Sequence, residues 1–170
     1  AMRANSSQKN DVISMPGWIT LCTSEKQVRK PLAGNAFAWD DILFSMDLCS
    51  DGTLELKVTA EKTPLKYIGL RWPGEIDSGS RVFFDSWERA YGDAGWYLLD
   101  PARLMPWYCA IFDGKTFEGY GMQVRPAAFA LWSCDTRGVS LWLDVRNGTQ
   151  AIQLNGRTLN LGKVVYSCCR

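Results

Sequence analysis

The feature that most constrains this chain is a strict alternation of apolar and polar residues in short runs, each closed by a glycine-containing turn. In "DILFSMDLC", Ile42, Phe44, Met46 and Leu48 fall on one face; in "TLELKVTAE", Leu54, Leu56 and Val58 do the same, with Glu55, Lys57 and Thr59 opposite. Two is the side-chain period of a strand, and Asp51-Gly52 lies between the runs, so together they predict a β-hairpin with one buried face. "YCAIF", Asp113-Gly114 and "KTFEGYGMQV" predict a second hairpin. Further on, Val139, Leu141, Leu143 and Val145 alternate with Ser140, Trp142, Asp144 and Arg146, and Asn147-Gly148 and Asn155-Gly156 follow. Both dipeptides suit the positive φ angles of a type I′ turn, which predicts a three-stranded meander.

No segment sustains a helical 3.6-residue period with caps; "SWERAY" has room for one turn before Gly92 and Gly95 end it. Roughly ten to twelve short strands follow from the pattern, and strands without interleaved helices imply an all-β chain. The expected fold is an antiparallel β-sandwich, supersandwich-like, with hairpin and meander connections. At 170 residues one domain is the expectation, spanning 15–170, because a chain of this size buries enough surface to fold without metal or disulfide support. The polar residues 1–14 read as a tag remnant and disordered terminus.

Composition then removes whole classes of chemistry. Nineteen Lys and Arg against eighteen Asp and Glu leave a net charge of +1, too weak a field to gather nucleic acid or an anionic membrane. The absence of histidine excludes Ser-His and Cys-His nucleophile pairs and mixed Cys/His zinc sites. The six cysteines form no C-x-x-C pair, and those in apolar segments read as small buried hydrophobes rather than disulfides. No metal and no cofactor are expected. No apolar run reaches the roughly 20 residues of a membrane span. A cytoplasmic location is favoured over an exported form with its signal peptide removed.

The stretch "DSWERAYGDAGW" concentrates Asp85, Trp87, Glu88, Arg89, Tyr91, Asp93 and Trp96. Paired carboxylates are the machinery of glycoside hydrolysis, but acids in glycine-rich turns more commonly cap backbone N–H groups. The aromatics, with Trp107 and Tyr108 nearby in sequence, suit sugar faces, domain interfaces and a sandwich core alike. Asp144 and Arg146 share the polar face of one expected strand and are placed to pair there.

These motifs carry a resemblance. Trp87-Glu88-Arg89, Tyr91-Gly92-Asp93, Pro106-Trp107-Tyr108 and "LWLDVRNG" resemble the N-terminal β-sandwich of α-galactosidase-like glycoside hydrolases, the melibiase and raffinose-synthase group called family 36, from about Thr53 to Val165. In that family the sandwich precedes a (β/α)₈ barrel whose two aspartates hydrolyse terminal α-galactosides with retention. The resemblance implies that this chain is a non-catalytic accessory domain, inactive alone, whose partners are the barrel of the same polypeptide and, through it, a galactoside. It assigns Trp87, Glu88, Arg89, Tyr91 and Asp93 to substrate binding or interdomain contact, and the aromatic reading adds Trp96 and Trp107 to these candidates. The sequence departs from the family where Ala90 replaces an expected glycine and Ala94-Gly95 an expected Leu-Glu pair. The alternatives are a stand-alone carbohydrate-binding module and a purely structural module with its aromatics in the core.

Overall fold

A computed structural model describes residues 11–85, 94–123 and 127–170. The alternating runs become strands: β1 (Trp18–Thr23), β2 (Gln27–Pro31), β3 (Ala36–Trp39), β4 (Ile42–Leu48), β5 (Leu54–Ala60), β6 (Leu65–Pro73) and β7 (Arg81–Phe84). They are followed by β8 (Gly95–Leu98), β9 (Met105–Pro106), β10 (Tyr108–Phe112), β11 (Phe117–Met122), β12 (Phe129–Asp135), β13 (Gly138–Asp144) and β14 (Thr158–Cys169). No helix occurs among the described residues. One sheet has the order β2-β1-β6-β13-β12-β9 and the other β3-β4-β5-β14-β11-β10-β7-β8. All pairs are antiparallel, and the two sheets pack face to face as the expected β-sandwich.

The core is the period-two pattern read from both sheets. Phe44, Met46, Leu54 and Leu56 from the eight-stranded sheet and Ile19, Leu21, Ile68, Leu70, Leu141 and Leu143 from the six-stranded sheet are essentially sealed from solvent. Each such side chain contributes about 1.5–3 kcal/mol on burial. Trp132 fills the centre of one half: it is 0% exposed, its ring lies 5.9 Å from Trp72 and 5.6 Å from Tyr120, and its Nε1–H donates to the Trp107 carbonyl at 3.1 Å. The row that begins with Ile42 ends at Met46, and Leu48 is half exposed.

Both expected hairpins form. Leu48 pairs with Leu54 across the Asp51-Gly52 turn, where Asp51 Oδ1 accepts the Thr53 N–H and hydroxyl. Phe112 pairs with Phe117 across Asp113-Gly114. The C-terminal meander is different. β13 pairs with β12 in the six-stranded sheet, whereas β14 pairs with β5 and β11 in the other. The segment between them makes only bridges, Asn147 with Gln150 and Ile152 with Leu65. Its second turn closes on Ala60, whose carbonyl accepts the Gly156 N–H at 2.9 Å. Asn-Gly turns therefore redirect the chain from one sheet to the other instead of folding it back beside itself.

β14 is the seam of the larger sheet. Thr158 to Val164 pair with β5, and Val164 to Cys169 pair with β11. A bulge between Asn160 and Gly162 redirects the strand, with Gly162 at φ 110 and its N–H held by Asn160 Oδ1 at 2.9 Å. Residues 11–14, grouped with the terminus in the sequence reading, are held in place: Ile13 is buried, the Ser14 carbonyl accepts from Trp72 Nε1 at 2.7 Å, and Asp11 accepts the Cys168 N–H. All six cysteines are free, and only Cys109 and Cys134 are buried. Burial pushes both thiols up, Cys134 to about 11 with a further push from Asp135.

Gly138 closes the β12–β13 hairpin at φ 146, and a Cβ there would stand 2.2 Å from the Trp72 carbonyl oxygen. Gly148 also has positive φ, but open space around it. Urea denaturation should therefore separate them: Gly138→Ala costs more than about 2 kcal/mol through clash and strain, and Gly148→Ala about 1 kcal/mol through strain alone. Equal losses would contradict this account of the hairpin.

Candidate functional site

The loop that carries Trp87, Glu88, Arg89, Tyr91 and Asp93 lies outside the described residues, but its stem does not. β7 and β8 form a hairpin with Phe84 opposite Gly95, so Asp85 and Ala94 mark the two ends of the loop. Asp85 lies close enough to Tyr108 to reinforce the rise in that phenol's pKa, which comes chiefly from burial. β8 is the edge strand of the eight-stranded sheet.

Strand register shows what stands on the outer face beside this stem. One row across the sheet reads Leu98, Arg81, Phe112, Phe117 and the next Trp96, Phe83, Ala110, Gly119. Trp96 is 47% exposed, with its ring 5.3 Å from Phe83 and 5.4 Å edge-on from Phe117. Leu98, Tyr108, Phe117 and Val165 are exposed on the same face. The patch is aromatic and contiguous, and the charges beside it are Arg81 in one row and Asp85 next to Tyr108. Soluble proteins rarely leave such a surface uncovered.

Beneath it, on the inner side of the same hairpin, Phe84 and Tyr97 pack at 5.1 Å. The Arg103 guanidinium lies over Tyr97 at 4.7 Å and donates to the Leu98 carbonyl at 2.7 Å. This contact caps one acceptor of the β8 backbone and fixes the stem. A Cβ on Gly95 would come 3.4 Å from the Tyr97 ring, so a larger residue here would press on that ring.

Trp107 sits elsewhere. It is the corner between β9 in one sheet and β10 in the other, with φ 66, half-buried. Its ring packs edge-on against Phe129 at 5.0 Å, and its carbonyl accepts from both Met122 N–H and Trp132 Nε1. The structure thus places Trp96 on the exposed face and Trp107 at a corner with structural work. Phe112, Phe117 and Leu98 were missed in the sequence. Their signal was there: "YCAIF" is apolar on both faces, with Cys109 and Ile111 buried and Tyr108 and Phe112 outward, the mark of a strand covered on both sides.

The outer face of the six-stranded sheet is polar by contrast. Arg71 donates to Asp135 Oδ1 at 2.7 Å and to Ser140 Oγ at 2.9 Å, and Asp144 and Arg146 form the expected pair at 2.9–3.0 Å, with Arg146 over the Tyr67 ring. Burial raises the pKa of Asp135 and Asp144, but hydrogen bonds from Arg71 and Arg146, respectively, and the adjoining charges outweigh it, so both are lowered. Asp41, Asp51 and Asp113 are lowered by hydrogen bonds from nearby hydroxyl or backbone groups. These aspartates are ionised at neutral pH and unsuited to act as general acids, a role that needs a raised pKa.

Neither the protein-family models nor the curated proteins compared with the chain match it. The reading therefore stands on the residues themselves. An exposed aromatic face should bind anilinonaphthalene sulfonate in the native state. The double variant Trp96→Ser/Phe117→Ser is expected to lose most of that fluorescence enhancement while keeping its far-ultraviolet circular dichroism. Undiminished enhancement would place the dye-binding surface elsewhere.

Proposed function

We propose that this domain is a non-catalytic accessory module of an α-galactosidase-like retaining glycoside hydrolase. It docks through the outer face of β7, β8, β10 and β11 on a catalytic (β/α)₈ barrel that this sequence does not contain, and the loop from Asp85 to Ala94 rims the sugar pocket. The observation that carries the reading is the coincidence of two features on one edge of the sandwich: the motif-bearing loop, and the exposed face of Trp96, Leu98, Tyr108 and Phe117. The edge strand β8 adds to it. "GWYL" in β8 carries no charge, proline or bulge of its own, so apart from its short length and the Arg103 cap on Leu98 this edge is open to a partner.

Docking fits this face better than sugar binding does. Saccharide sites combine a ring platform with several polar groups that fix the hydroxyls. Around Trp96 the neighbours are Phe83, Phe112 and Phe117, an apolar surface of the kind that forms the centre of a domain interface. The stand-alone binding-module reading draws on the exposure of Trp96, and it requires galactosides to quench tryptophan fluorescence saturably.

The test is activity of the chain alone. On an aryl α-galactoside the purified 170-residue protein is expected to show no turnover above the uncatalysed rate. Robust hydrolysis would overturn the accessory-domain reading.

A further inference from the structure

The opposite outer face holds a second feature that the docking reading does not use. A cleft of about 500 Å³ lies on the six-stranded sheet, between Arg29, Arg71, Arg137, Asp135, Thr20 and Trp142, within the range of small-ligand sites. Its construction begins with a glycine. Gly69 pairs with Thr20 on one side and Trp142 on the other, and a Cβ on Gly69 would stand 2.6 Å from Cζ3 and 2.9 Å from Cε3 of the Trp142 ring. The indole therefore lies down over the bare backbone of Gly69 instead of standing away from the sheet. Trp142 is half-buried and has no ring partner among the described residues. It also borders an apolar hollow of about 280 Å³ with Tyr67, Leu104 and Leu131.

The polar wall is built and charged. Arg71 is fixed by Asp135 and Ser140. Asp135 receives both Arg71 Nη2 and the Arg137 backbone N–H on the same oxygen, Oδ1, each at 2.7 Å. Arg29 lies over the Trp18 ring at 4.7 Å, and the Arg137 side chain has no ion-pair partner among the described residues. Three arginines and one carboxylate thus line the cleft, and of the three guanidiniums only that of Arg71 is paired with Asp135. The excess is cationic, in a fork geometry that matches a carboxylate.

We propose that this cleft binds a carboxylated saccharide, a uronic acid residue whose ring stacks on Trp142 and whose carboxylate meets Arg137 and Arg71. The site lies on the sheet opposite the docking face, so it stands or falls independently of the accessory-domain reading. Stacking supplies the ring selectivity and the arginines the charge selectivity. A neutral hexose keeps the first and loses the second.

The experiment is an NMR titration of the ¹⁵N-labelled chain with D-galacturonate and D-glucuronate, and with D-galactose and D-glucose as neutral controls. A uronate is expected to shift the Trp142 indole N–H and the Arg137 and Arg71 resonances saturably, at least about tenfold more tightly than the neutral sugars and more weakly at high salt. Trp142→Ala and Arg137→Ala should each weaken binding by about tenfold, with the remaining spectrum unchanged. Gly69→Ala, which pushes the indole off the sheet, should weaken it as well. Arg137 is exposed, so its variant keeps the test open if the Trp142 substitution impairs folding. Equal affinity for neutral and acidic sugars would overturn the carboxylate assignment. Absence of binding by either uronate, or binding indifferent to Arg137→Ala, would overturn the site.

Discussion

The hydrogen bond from Trp132 Nε1 to the Trp107 carbonyl, 3.1 Å long, ties together the parts of this sandwich that matter for its surface. Trp132 is the largest of the fully buried side chains, and it reaches from β12 in one sheet to Tyr120 in the other. Losing such an indole costs about 3–5 kcal/mol. An indole N–H in a dry core also needs an acceptor, and the carbonyl it finds belongs to the corner where the chain passes from β9 into β10. That bond sets the corner, the corner sets β10, and β10 carries Tyr108 and Phe112 on its outer side. The positive φ of Trp107 is sustained by this arrangement: the carbonyl that serves Trp132 also takes the Met122 N–H, so core and sheet hold the corner from two directions.

The two outer faces then divide by composition. On the eight-stranded sheet, β7, β8, β10 and β11 are largely apolar outward, with Arg81 the exception, so the sheet has a second hydrophobic side over which none of the described residues lies. On the six-stranded sheet the outward residues include Thr20, Arg71, Asp135, Ser140, Trp142 and Asp144; Arg71 and Asp144 are paired by short hydrogen bonds, and Arg29 and Arg137 add positive charge. Water alone is a poor solvent for the first face and a good one for the second. A macromolecular contact suits the first, and a small polar ligand suits the second.

Much of this was legible in the sequence, because a period of two is a local property. The hairpins around Asp51-Gly52 and Asp113-Gly114, the Asp144–Arg146 pair and the sandwich class follow from residues that are neighbours along the chain. The meander expected after Gly138 did not form, because turn chemistry fixes a reversal but not the sheet that the next strand joins. That choice is made by Leu154 packing in the core and by Gly156 bonding to Ala60, contacts between residues distant in sequence. The cleft was hidden for the same reason: Gly69 and Trp142 meet only through the β6–β13 register. Trp96 was legible as a candidate from composition, whereas the Phe112 and Phe117 rings beside it required the pairing of β7 with β10.

The central claim is that the Trp96 face is covered in the natural protein. Hydroxyl-radical footprinting tests it most directly, by comparing side-chain oxidation in this chain alone with that in the polypeptide produced from its natural gene. The account predicts that Trp96, Tyr108 and Phe117 are oxidised readily in the isolated chain and protected severalfold in the natural polypeptide, while Trp18 on the other sheet reacts equally in both. Equal oxidation of Trp96, Tyr108 and Phe117 in the two would contradict it.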